Sequence, residues 1–91
     1  MSVLIRFVPS SLTAAQYEET IRKLEAEGNF PPDGLDYHVC FGTEGSLRVS
    51  EIWDSQQQLD AFGERLRPVL AEAGIDPGEP ETLEIHNIVR R

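Results

Sequence analysis

LDYHVCFGTEGSLRVSEIWD, residues 35–54, reads as two strands joined by a tight turn, with an amphipathic helix on either side. Upstream, VLIRFV (Val3 to Val8) has strand composition and stops at Pro9. Thr13 followed by Gln16 is a capping-box pattern, and Tyr17, Ile21 and Leu24 then recur at helical spacing until Gly28. Downstream, Ser55 and Gln58 repeat that pattern. Leu59, Phe62, Leu66, Val69 or Leu70, and Ala73 form the apolar stripe of a second helix ending at Gly74. Pro68 lacks an N–H and crowds the carbonyl of Glu64, which predicts a kink or a fresh start near Arg67. After the turn IDPGEP, ETLEIHNIV (residues 81–89) alternates as a last strand, with Leu83, Ile85 and Val89 on one side and Glu84, His86 and Ile88 on the other. The order β-α-β-β-α-β predicts one α+β domain over residues 1–91, a four-stranded antiparallel sheet with two helices on one face. The loop GNFPPDG between the first helix and the hairpin is long enough to act as a flap.

The hairpin turn decides which residues share a face, because strand side chains alternate with a period of two. A three-residue loop of Thr43, Glu44 and Gly45 sets Phe41 against Leu47, Val39 against Val49 and Leu35 against Trp53. That register turns Tyr37, Val39, Phe41, Leu47, Val49 and Trp53 toward the helices. Asp36, His38, Cys40, Arg48, Ser50 and Ile52 then occupy the opposite face, with His38 across from Ser50 and Cys40 across from Arg48. A two-residue turn at Glu44 and Gly45 shifts the parity, pairing His38 with Glu51 and Asp36 with Trp53. The first register separates apolar from polar residues better and is the preferred expectation; the His38–Glu51 pair is the competing one.

Composition narrows the function classes. A chain of 91 residues buries only about 60–65% of its unfolded surface alone, so a second copy would help it. Sixteen acidic against eight basic residues give a charge of −8. A phosphate backbone or an anionic membrane would be repelled, so neither nucleic acid nor membrane is an expected partner. No apolar run is long enough to span a bilayer, and MSVLIRFVPS lacks the layout of a signal peptide. A cytoplasmic location is the expectation, and the lone Cys40, unable to form an internal disulfide, agrees with a reducing compartment.

Under the preferred register, the sheet face away from the helices carries Arg6, His38, Cys40, Ser50, Ile52, His86 and Ile88. This set is too mixed for a solvent face and too polar for an ordinary core. A partner sheet explains it, burying Leu4, Val8, Ile52 and Ile88 while the polar groups bond to each other, to water or to a ligand. A homodimer is therefore expected.

The element order, the pattern EIWDSQQQLDAF at the junction of the third strand and second helix, and the break at Pro68 resemble the dimeric α/β-barrel superfamily. Within it, the chain is most similar to small antibiotic-biosynthesis-monooxygenase-type proteins. The resemblance covers nearly the whole chain and implies ferredoxin-like protomers whose sheets meet face to face. Its branches include cofactor-independent oxygenases of quinols, haem-degrading oxygenases, isomerases, cyclases and proteins without established activity, so the fold alone does not name a reaction. The haem-degrading branch uses a first-strand asparagine, a tryptophan within the second helix and a later histidine. Here those positions fall on Arg6, Phe62 and about Glu72, so the haem site is not expected.

Oxygenases without a cofactor ask for a base that ionises a phenolic substrate, donors for the oxyanion and a dry pocket. The resemblance makes His38 the candidate catalytic base, with His86 as a second choice, and Arg6, His38, Ser50 and His86 the candidate ligand-binding residues for a hydrophobic or aromatic small molecule. Each histidine also has a structural reading, as a satisfied interface residue. Cys40 shares a face with His38 but lacks an orienting third group, and reads as packing. Tyr17 and Tyr37 read as core aromatics with an edge hydroxyl, and Glu51 as a residue that orients a substrate or bonds a helix end. GTEGS is a turn, no nucleotide-binding glycine motif is present, and the histidines and cysteine are too few for zinc. No cofactor and no metal is expected. Three readings follow: a dimeric enzyme acting on an aromatic or polyketide-like molecule, a non-catalytic dimeric binder of such a molecule, and a structural or regulatory dimer with a closed interface.

Overall fold

The computed structural model describes residues 2–91, in the order β1 (Val3–Phe7), α1 (Ala14–Ala26), β2 (Leu35–Thr43), β3 (Ser46–Trp53), α2 (Gln56–Glu72) and β4 (Glu81–Glu84). The strands form one antiparallel sheet ordered β2-β3-β1-β4, which is the ferredoxin-like arrangement. Both helices start where the sequence places a cap. Thr13 accepts from the Gln16 backbone N–H at 3.1 Å while the Gln16 side chain accepts from the Thr13 N–H at 3.0 Å, satisfying two orphan donors reciprocally. Ser55 makes only half of that exchange: its hydroxyl accepts from the Gln58 N–H at 3.2 Å, and Gln58 takes the Ser55 hydroxyl proton instead. The second helix runs unbroken through Pro68, so the fresh start expected near Arg67 does not occur. Apolar contacts of Val69 and Leu66 against the sheet hold the turn that lacks the proline's hydrogen bond.

The hairpin adopts the two-residue turn. Thr43 pairs with Ser46, Cys40 with Val49 and His38 with Glu51, which overturns the preferred three-residue register. Gly45 takes φ of 82°, a value that its turn position requires and that a side chain would oppose. Glu44 fixes the tip from outside: its carboxylate accepts from the Ala14 N–H at the start of α1 and from the Gly45 N–H, at 2.8 and 2.9 Å. A carboxylate against a helix N-terminus is favourable, and it ties the turn to α1. Further along, a bulge between Leu35 and Tyr37 lets Asp36 stand outside the ladder, so Leu35 still pairs with Trp53. Two pairings from rival registers therefore coexist in one hairpin.

The consequence is an exchange of faces. Ile5, Val49, Glu51 and Trp53 point to the helices with His38 and Cys40, whereas Tyr37, Val39 and Phe41 point away: Val49 and Trp53 lie on the expected side, and the residues of β2 are reversed. Trp53, Leu24, Phe62, Leu59 and Val69 make the core between sheet and helices, and the Trp53 side chain is wholly buried. The last strand is also shorter than expected. Glu84 pairs with Val3, the first residue of β1, so beyond it the chain has no strand to pair with and residues 85–91 leave the sheet.

Candidate active site

The bonds of four side chains run in a line from the core toward α1. Trp53 donates its indole N–H to Glu51 Oε1 at 2.9 Å, His38 Nδ1 lies 2.6 Å from Glu51 Oε2, and Tyr17 Oη lies 2.7 Å from His38 Nε2. Glu51 is almost fully buried, and burying a carboxylate is costly unless donors replace the lost water. The indole can only donate, so Oε1 accepts; Nδ1–H donation to Oε2 then completes the carboxylate. This assignment leaves Nε2 of a neutral imidazole as an acceptor, and the Tyr17 hydroxyl donates to it. All four groups are satisfied, and among the described residues no buried side-chain polar atom lacks a partner.

Strand register creates the first half of the line and helix phase the second. Glu51 and His38 meet because they are direct cross-strand neighbours, and Trp53 follows Glu51 on the same face two residues later. Tyr17 stands on the first turn of α1 and reaches down to the imidazole with the rings nearly parallel, 5.9 Å apart. Phe30, from the loop between α1 and β2, sets its edge against the same imidazole at 5.4 Å. Phe30 of that loop thus covers one side of His38. Burial pushes the Tyr17 phenol up to about 12, with negative charge at Cys40 and then at Glu51 adding to the effect. Burial likewise pushes the Cys40 thiol up, which opposes a thiolate nucleophile there.

His38, Glu51 and Tyr17 line a cavity of about 70 Å³ whose other walls are apolar except for Thr20, among them Phe7, Leu24, Phe30 and Phe62. Of the four candidate ligand-binding residues, only Arg6 and Ser50 share a face, as cross-strand neighbours on the outer side of the sheet, where Ile52 also lies as expected. Arg6 is exposed there, 3.9 Å from Glu81 on β4. His38 is on the opposite face, and His86 is exposed beyond the end of β4. The structure therefore does not assemble Arg6, His38, Ser50 and His86 into one group. Sequence reasoning weighed Glu51 as a residue on the helix side but did not connect Tyr17 to His38. Four residues after the cap, at the start of the apolar stripe, Tyr17 already stood on the face that packs on the sheet.

No family model and no curated protein matches the sequence. Solved structures do share the fold. A variant of SnoaB, a cofactor-independent oxygenase from Streptomyces nogalater, superposes with a TM-score of 0.70 at 12% identity, covering 99% of this chain and 98% of that one. MupZ from Pseudomonas fluorescens gives 0.68 at 11% identity, over 99% and 94% of the two chains. A candidate antibiotic biosynthesis monooxygenase from Chloroflexus aurantiacus J-10-fl gives 0.64 at 12% identity, over 98% of each chain. The chain has the ferredoxin-like α+β fold of antibiotic-biosynthesis-monooxygenase-type proteins.

Proposed function

We propose that the chain is a monooxygenase that needs no cofactor and oxidises a small aromatic, polyketide-like molecule in the cavity between sheet and helices. The observation that carries this reading is the Glu51–His38–Tyr17 line ending in an apolar compartment. The substrate is a phenol-bearing ring with an activated CH₂, of the anthrone type. One proton of that CH₂ passes to Tyr17 Oη as Tyr17 gives its own proton to His38 Nε2, and Glu51 stabilises the imidazolium. The resulting carbanion is the reductant. It delivers electrons to O₂ directly, one oxygen atom becoming the new carbonyl and the other leaving as water with the two CH₂ hydrogens. No flavin, haem or metal enters this balance.

The fold neighbour SnoaB, an oxygenase without a cofactor, supports the same chemistry. Under ¹⁸O₂, the product should carry one labelled oxygen, and the His38→Gln variant should form it slower by about 10²-fold or more; product formed at the same rate by that variant ends the proposal. A second reading, a binder without turnover, is favoured by one feature: Nε2 is already occupied by Tyr17. It predicts tight substrate binding with no oxygen uptake.

A further inference from the structure

Beside the His38 compartment lies a larger cavity of about 250 Å³, between α2, β1, β4 and the turn around Pro77 and Gly78. Phe7, Glu51, Phe62 and Leu66 border both, so the two adjoin across these side chains. The larger one has a polar rim of Gln56, Asp60, Arg67 and Thr82. Its acids are already served: Asp60 accepts from Gln56 Nε2 at 2.8 Å, and Glu51 accepts from Trp53 and His38. Arg67 is the one arginine or lysine among the residues that line the two cavities, and among the described residues it forms no ion pair, as is also true of Arg48, Arg65 and Arg91. Gly63, one helical turn earlier, makes room for it: a Cβ at that position would stand 3.4 Å from Arg67 Nη1. The guanidinium thus lies along a side-chain-free stretch of α2 at the solvent edge of an apolar wall.

We propose that Arg67 binds the carboxylate of an aromatic acid whose ring lies along Phe62 and Leu66 toward His38. A planar guanidinium matches a carboxylate with two parallel hydrogen bonds, and the two acids that line the cavity, Asp60 and Glu51, already accept bonds from Gln56, Trp53 and His38. The net charge of −8 repels anions at long range, so selection of an acid has to come from a local cation such as this one. This inference rests on the proposed aromatic-binding cavity and adds the charge that its ligand carries.

The test compares 2-naphthoate with the shape-matched neutral 2-naphthamide. Binding is followed by NMR at the indole N–H of Trp53, the only tryptophan, which bonds to Glu51 on the shared wall. Wild type should bind the acid roughly tenfold more tightly than the amide, the preference should vanish in Arg67→Gln, and His38→Gln should retain it. Equal affinities in wild type, a preference that survives Arg67→Gln, or no shift with either compound overturns the proposal. Charge-selective binding without turnover of any substrate would count against the oxygenase reading while leaving Arg67 as the anion site.

Discussion

His38 is held from three sides, by Glu51 at Nδ1, Tyr17 at Nε2 and the edge of Phe30, and each contact restricts what the imidazole can do. The carboxylate makes Nδ1 the protonated nitrogen and so makes Nε2 the basic one. Glu51→Gln keeps the shape but places an amide N–H or a weaker acceptor at Nδ1. It should shift the imidazole toward the other tautomer, visible in the ¹⁵N shifts of His38, and lower turnover by about 10²-fold or more. Tyr17 gives a second test. An ordinary phenol ionises near pH 10, whereas folded Tyr17 holds its proton up to about 12, so the unfolded chain binds fewer protons between those values. Tyr17 should therefore withdraw stability as pH rises from about 10 to about 12 and leave it unaffected below. In a Tyr37→Phe background, tyrosinate absorbance should appear near pH 12; appearance near 10 would contradict the buried phenol. The sequence made His38 visible and held Glu51 as its partner in one of two registers. It could not bring in Tyr17, because the contact depends on how α1 sits on the sheet.

At the scale of elements, helix caps and stripes were legible because each rests on local spacing. Replacing Thr13 by Ala removes an acceptor from the start of α1 and should cost about 1 kcal/mol, or about 4–8 °C of thermal midpoint for a chain of this size. The hairpin was less legible, for a physical reason. Apolar side chains sit on both of its faces, with Phe41 and Tyr37 outward and Val49 and Trp53 inward, so hydrophobic partition did not choose a register. The observed register brings in a tertiary bond, Glu44 against the start of α1, whereas a left-handed Gly45 suits either turn. Gly42 is a second constraint in that strand. With φ of 114° and a virtual Cβ only 3.0 Å from the Ser46 carbonyl oxygen, Gly42→Val should destabilise by about 1–3 kcal/mol in chemical denaturation. The shortness of β4 was hidden for a related reason: ETLEIHNIV alternates throughout, but β1 offers partners only as far as Val3.

Across the whole molecule, the outer sheet face is left with a large apolar surface. Tyr37 is 56% exposed, Leu83 46% and Phe41 38%, and Leu4, Val39 and Ile52 lie among them only partly buried. Patches of this kind on a small chain mark an association surface. We expect a homodimer through this face, with Arg6 and Ser50 at the contact and not in the cavity. Light scattering should report a dimer at micromolar protein, and Phe41→Glu should convert it to a monomer; a wild-type monomer would contradict the expectation. The corrected register strengthens this expectation, because it moves His38 inward and aromatic residues outward. On this expectation, chemistry and association would lie on opposite faces of one sheet. Oxygen uptake tests that separation most directly: an anthrone-type substrate is offered without added cofactor to wild type, His38→Gln and Ser50→Ala. The account predicts uptake by wild type and Ser50→Ala, and a loss of about 10²-fold or more in His38→Gln. Undiminished uptake by His38→Gln would contradict it.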